Sequence, residues 1–284
     1  MVLNDFMSYF SMKKMPFTSS IGTDFLFRND RHADIRNKLL LTIQSDAMAL
    51  LTGRPGTGKS TILRSITSTL SPEQYLVLYV SISNPTPRWL YTVPLQQLGV
   101  KSHQYVNDAR KQFHDELTIQ RKTYNRKVVM VIDEAHLLTH SYLKYALLEE
   151  IRFLRNGENY DSGAPLSLIL SGQTEICPIL QDSRCSAITQ RIDYVCSTSP
   201  LSDEQVGPYI GAHLRWAGVT DTIFSSAAVA QVAKLSQGNL RMINKICLHS
   251  MNYAALKKQS TVSPELVDCA AKNEVIELVL QQIV

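Results

Sequence analysis

The chain has 284 residues, with 29 lysines and arginines against 25 aspartates and glutamates and a net charge of +4. Its 44% hydrophobic and 19% charged content is that of an ordinary globular protein, long enough for one large domain or two smaller ones. These values exclude a polycation, and no apolar run approaches the roughly 18 residues that span a bilayer.

Asn4 and Asp5 precede any basic residue, unlike a signal peptide. Cys177, Cys185, Cys196, Cys247 and Cys269 form no C-x-x-C pair, which argues against a disulfide framework or a zinc site. A cytoplasmic protein is expected. Residues 1–30 are rich in Phe, Met and turn formers, and a helix over about Asp30–Gln44 leads into a first strand, Ala47–Thr52. A Gly-rich loop follows, then a helical stretch from Thr61 to Leu70 with Ile62, Ile66 and Leu70 on one face. Tyr75–Ile82 is a second strand, bounded by Ser71-Pro72 and Asn84-Pro85. Residues 86–127 read as mostly helical and carry many basic residues. Lys127–Ile132 reads as a buried strand, since the uninterrupted apolar run after Lys127 suits a parallel strand covered on both faces. A helix over Ser141–Arg155, a buried strand at Leu166–Leu170 and a last strand at Ile192–Cys196 complete this part. After Pro200 only helical periodicity remains, near 202–216, 225–235, 239–256 and 263–280. The expected fold is α/β, a three-layer core on a parallel sheet followed by a small all-α lid. The expected division is 1–45 as an N-terminal segment and leading helix, 46–198 as the core and 199–284 as lid and tail.

Residues Gly53–Ser60 read GRPGTGKS, a complete G-x-x-x-x-G-K-[ST] phosphate loop between a strand and a helix. Gly53, Pro55, Gly56, Thr57 and Gly58 shape a backbone whose N–H groups face phosphate oxygens, with Thr61 in the first turn of the helix beyond. Lys59 is placed for the β- and γ-phosphates of ATP, and Ser60 for a Mg²⁺ bridging them. Lys127–Ile132 ends in Asp133-Glu134. Asp133 at the tip of that strand is placed to hold the metal through water, and Glu134 to orient or deprotonate the attacking water. Ser171 or Gln173, ending the next strand, is a candidate γ-phosphate sensor. Arg191, before the last core strand, is a candidate trans finger for a neighbouring subunit's γ-phosphate, with Arg184 its rival. Arg241 opens a lid helix after Gly238-Asn239-Leu240, where a cation is disfavoured by the helix dipole unless an anion lies opposite.

Taken together, GRPGTGKS, VVMVIDEAH, LILSGQTEI, ITQRIDY and SQGNLRMIN resemble AAA+ ATPases of the ExeA/TnsC/IstB type, which includes TniB- and MuB-like transposition helpers. Asn239-Leu240 departs from the small-residue–proline pair that the family places before its lid arginine. The resemblance covers residues 9 to about 275 and implies a P-loop AAA+ core with a helical lid, and ATP hydrolysis with Mg²⁺. It also implies a homo-oligomer, as a ring or helical filament, with double-stranded DNA, a transposase and a targeting factor as partners, and no membrane. Loops between the second strand and Asp133 would then line a DNA channel, with Arg88, Lys101, Arg110 and Lys111 as candidate phosphate contacts. Secretion ATPases of this type continue into a membrane span and a cell-wall-binding region. Because this chain stops after the lid, a transposition regulator is the first expectation. A cytoplasmic ExeA-like secretion or envelope-assembly ATPase is the alternative, and a STAND-type switch, normally carrying extra sensor domains, is third.

Overall fold

A computed structural model describes residues 3–82, 85–140, 143–156 and 164–272. Its regular elements run α1 (Leu3–Tyr9), α2 (Asp30–Gln44), β1 (Met48–Thr52), α3 (Lys59–Thr67), β2 (Tyr75–Ser81), α4 (Trp89–Gln97) and α5 (Val106–Lys122). There follow β3 (Lys127–Asp133), α6 (Lys144–Leu154), β4 (Ser167–Gly172), α7 (Ile176–Leu180), α8 (Ser186–Thr189) and β5 (Tyr194–Ser197). Four helices end the described chain: α9 (Asp203–Ala217), α10 (Ser226–Ser236), α11 (Leu240–Leu256) and α12 (Pro264–Ala271).

The five strands form one sheet in the order β2-β3-β4-β1-β5 with every neighbouring pair parallel. Period-two alternation sorts its side chains onto two faces. Ala49, Leu51, Val129, Val131, Ile169 and Cys196 pack against Ile35, Leu39 and Ile43 of α2 and Ile62, Leu63 and Ile66 of α3. The opposite face carries Met48, Leu50, Leu78, Val80, Met130, Ile132, Leu168 and Leu170 under α4 to α8. Both faces are covered, which is why β1 and β4 are buried along their whole length and read as continuous apolar runs. The three-layer core is as the pattern predicts.

The chain divides into two compact units. One, residues 30–55 and 62–198, is the α/β layer structure just described. The other joins residues 56–61 and the described parts of 1–29 and 199–284. In it Phe6, Phe10, Met12 and Phe17 are buried among Val206, Ile210, Ile246 and Met251 of the C-terminal helices. The N-terminal segment therefore packs with the helices after Pro200, whereas the sequence reading grouped it with α2 as a lead-in to the sheet. Its reason is apolar and long-range: four large side chains need a core, and the C-terminal helices supply one.

Other departures are smaller. The basic stretch 86–127 is mostly helical as expected, through α4 and α5, whereas β5 starts at Tyr194 and not at Ile192, since residues 189–192 turn back on themselves through Arg191 N–H to Ile188 O at 2.9 Å. The expected extension of the last helix beyond residue 272, and the start of the expected helix at 141–142, lie outside the described residues.

Candidate nucleotide-binding site

Parallel register places the chemistry along one edge. Leu170 of β4 pairs with Leu50 of β1 on one side and with Ile132 of β3 on the other. Asp133 therefore stands one residue past that level on β3, and the phosphate loop begins three residues past it on β1. At about 4.8 Å per strand the two strands are roughly 10 Å apart, within reach of a triphosphate and its metal. Asp133 and Ser171 share the alternation of Val131 and Ile169, so they belong to the face covered by α3, the helix that the phosphate loop opens.

Gly53 is buried and Thr57 is 1% exposed, while Ser60 is exposed at the start of α3 and Lys59 is half-buried. Gly56 has φ +77°, and a Cβ there would lie 2.4 Å from Asn239 Oδ1. Within the helical unit the loop is thus held by the turn that opens α11. Leu240 N–H donates to Gly56 O at 3.0 Å, and Asn239 caps the helix by accepting from the N–H groups of Arg241 (3.1 Å) and Met242 (3.2 Å). Asn239-Leu240, a departure from the family's pattern, is a docking turn here, and it sets exposed Arg241 beside Gly56.

Asp133 is 5% exposed and both its oxygens are engaged. Oδ1 accepts from Glu134 N–H at 2.9 Å, and Oδ2 accepts from the Tyr79 hydroxyl of β2. Burial first, then this hydrogen bond, holds the Tyr79 phenol well above its ordinary pKa, so it stays a donor. Glu134 has φ +57°, a region a glutamate enters at a cost of about 1–2 kcal/mol. That turn swings its side chain away from the strand direction to where Oε2 stands 3.3 Å from Nδ1 of buried His136. His136 Nε2 lies 2.9 Å from the Gln173 amide nitrogen at the end of β4. Ser171 Oγ is fully buried and has no hydrogen-bond partner among the described residues. An unsatisfied hydroxyl at this edge, beside a carboxylate already aimed by two donors, fits a polar ligand. The carboxylate of Asp133 offers the hard oxygen donors that Mg²⁺ prefers.

The remaining expected residues are placed differently. Arg191 folds onto the end of α6, donating to Asn156 Oδ1 at 2.6 Å and to Arg152 O at 3.2 Å. Arg184 pairs with Asp182 at 2.6 Å and stacks on the Tyr145 ring. Lys101 and Lys111 are exposed, and Arg88 Nε donates to His103 O at 2.9 Å. Arg110 does not share their exposure. It pairs with Glu150 at 2.6 Å, whose other oxygen accepts from Tyr91 Oη at 2.5 Å, and its guanidinium covers Phe153. Sequence reasoning missed Tyr79 and His136. Only His136 left a trace, as the residue two beyond Glu134 with no strand or helix period to explain it.

Among the described residues no helix is long and apolar enough to cross a membrane. Residues 42–180 match the family described as AAA domain. General secretion pathway protein A of Aeromonas hydrophila is 29% identical over 245 residues, 84% of this chain, and the chain spans 43% of that relative's length. Among solved structures, the Aeropyrum pernix ORC2 protein (ADPNP–ADP complexes) superposes with TM-score 0.69 at 14% identity, covering 95% of this chain and 73% of that one. The Drosophila ORC bound to DNA gives 0.67 at 20%, covering 98% and 68%. At such identities the two structures speak for the fold alone. Over residues 42–180 the chain is thus similar to AAA domains, and it carries the three-layer P-loop fold of the AAA+ structures together with a complete phosphate loop.

Proposed function

We propose that the chain is the nucleotide-driven module of a secretion or envelope-assembly apparatus, working in the cytoplasm as an ExeA-like ATPase. The relative in the general secretion pathway supports this setting over the transposition regulator that was the first expectation. The chemistry rests on one observation: Asp133, Glu134 and the start of the phosphate loop at Gly53 share the carboxyl edge of one parallel sheet.

Gly53, Pro55, Gly56, Thr57, Gly58 and Thr61 form the phosphate cradle, and Lys59 draws charge off the β- and γ-phosphates. Mg²⁺ held by Ser60 and Asp133 would supply the remaining neutralisation. Glu134 takes the proton of the attacking water, Gln173 sets the γ-phosphate side and Arg241 reports occupancy to α11. Arg191 serves as the trans finger of a homo-oligomer once it leaves Asn156, giving up charge-assisted hydrogen bonds worth about 1.5–3 kcal/mol each.

The second reading, a transposition helper that assembles on duplex DNA and engages a transposase, is favoured by the exposed Lys101 and Lys111 and by Arg88 near them. Binding to duplex DNA with and without an ATP analogue, over a salt series, separates the two. The secretion reading predicts no ATP-dependent gain. A gain whose salt slope falls by about one unit on Lys101→Ala establishes the DNA-bound helper instead.

A further inference from the structure

Three polar side chains, Glu134 and His136 after β3 and Gln173 after β4, stand in a row, and no role assigned so far uses the middle one. His136 is two residues beyond Glu134 in a short 3-10 turn and is buried. Gly172 ends β4 so close to this turn that a Cβ on it would lie 2.8 Å from His136 N. The backbone has therefore been brought to contact where the turn after β3 meets the end of β4. The Gln173 amide, as oriented, donates to His136 Nε2 at 2.9 Å, which leaves the imidazole proton on Nδ1. Nδ1 lies 3.3 Å from Glu134 Oε2, within ion-pair reach but outside hydrogen-bond geometry, so a small turn of the imidazole is what would complete the bond. Glu134 reaches this position through its left-handed backbone, a strained conformation that something must hold.

We propose that His136 is a positioning residue: it fixes the direction of the Glu134 carboxylate and is the link through which Gln173 acts on it. The inference rests on Glu134 being the group that activates water. In this arrangement Gln173 reaches no reacting atom of the water itself. Its displacement when the γ-phosphate is present or absent turns the imidazole, and the imidazole turns the carboxylate.

The test uses the full chain and measures ATP turnover, nucleotide affinity and thermal midpoint for His136→Ala, Gln173→Ala, the double variant, His136→Asn and His136→Gln. Asn places an amide N–H near the position of Nδ1, while Gln places its amide near Nε2. His136→Ala should lower kcat about tenfold or more, with KM and nucleotide affinity within about threefold of the parent. The double variant should be no slower than His136→Ala, since both act along one path. His136→Asn should regain several-fold of the lost rate and His136→Gln should not. Multiplying effects in the double variant, unchanged kcat in His136→Ala, or equal rates for the Asn and Ala variants would each overturn the proposal. If His136→Ala does not fold, the pair His136→Asn and His136→Asn/Gln173→Ala carries the same test, with equal rates expected. Should Glu134→Gln turn over ATP at the parental rate, the reading of Glu134 fails. A dead Glu134→Gln beside a fully active His136→Ala fails the relay alone.

Discussion

Replacing Arg110 by alanine separates a structural arginine from a nucleic-acid contact. Its partner Glu150 has a side chain only 11% exposed and accepts from Arg110 at 2.6 Å and from Tyr91 at 2.5 Å. Removing the guanidinium leaves a buried carboxylate with one neutral donor, and strips the face of Phe153. Breaking a fully buried pair in this way costs about 3–5 kcal/mol. Because Arg110 keeps 27% of its side-chain exposure, about 2–3 kcal/mol is expected here. Urea unfolding read by far-UV circular dichroism measures it. Arg110→Met/Glu150→Gln should recover at least half, since the glutamine oxygen still accepts from Tyr91 and no charge is left buried. A parental midpoint for Arg110→Ala, with the loss appearing only in DNA affinity, would refute this reasoning and return Arg110 to the DNA face.

Lys59→Ala should reduce ATP affinity at least about tenfold at unchanged folding stability, by titration of a fluorescent analogue, because it removes a charge from the phosphates and nothing from a core. Asn239→Ala deletes the cap of α11 and its contact with Gly56, so it should cost about 1 kcal/mol in unfolding and weaken nucleotide binding as well. His213 is buried, stacked on Phe17 with the Tyr209 ring tilted against it, accepts from Phe17 N–H at 3.2 Å, and burial pushes its pKa down to about 4. The unfolded chain therefore takes up this proton first, and stability is lost as pH falls from about 6.5 towards 4. Between pH 7.5 and 5 the parent should lose about 2 kcal/mol more than His213→Asn, which keeps an acceptor and does not titrate. Tyr79→Phe should weaken the Mg²⁺ dependence of nucleotide binding several-fold, read as the magnesium midpoint of analogue fluorescence, because Asp133 loses one of the donors that aim it.

Periodicity was enough for the sheet, and the G-x-x-x-x-G-K-[ST] spacing for the phosphate loop. Val128–Ile132 and Leu168–Leu170 are apolar on both alternations, which only a strand covered on two faces requires. Asp133 was legible because it interrupts such a run. What was not legible depends on distance in sequence. Phe6, Phe10 and Phe17 have no local reason to choose the C-terminal helices, and the contact between Phe17 and His213 spans 196 positions. Arg110 looks like its basic neighbours until α6 brings Glu150 beneath it. Tyr79 meets Asp133 only through the β2–β3 register, and Gln97 reaches back from α4 to bond both backbone groups of Tyr79, sealing the outer edge of β2. The Asn239-Leu240 pair, a mismatch in the one-dimensional pattern, turns out to be a backbone dock for Gly56.

Phosphate release from ATP by Glu134→Gln, measured beside its affinity for an ATP analogue, bears most directly on the site assigned to this edge of the sheet. The expected outcome is affinity within about threefold of the parent and release slowed at least about a hundredfold, since only the proton acceptor is lost. Hydrolysis at the parental rate, with binding intact, would mean that the water is activated by another group.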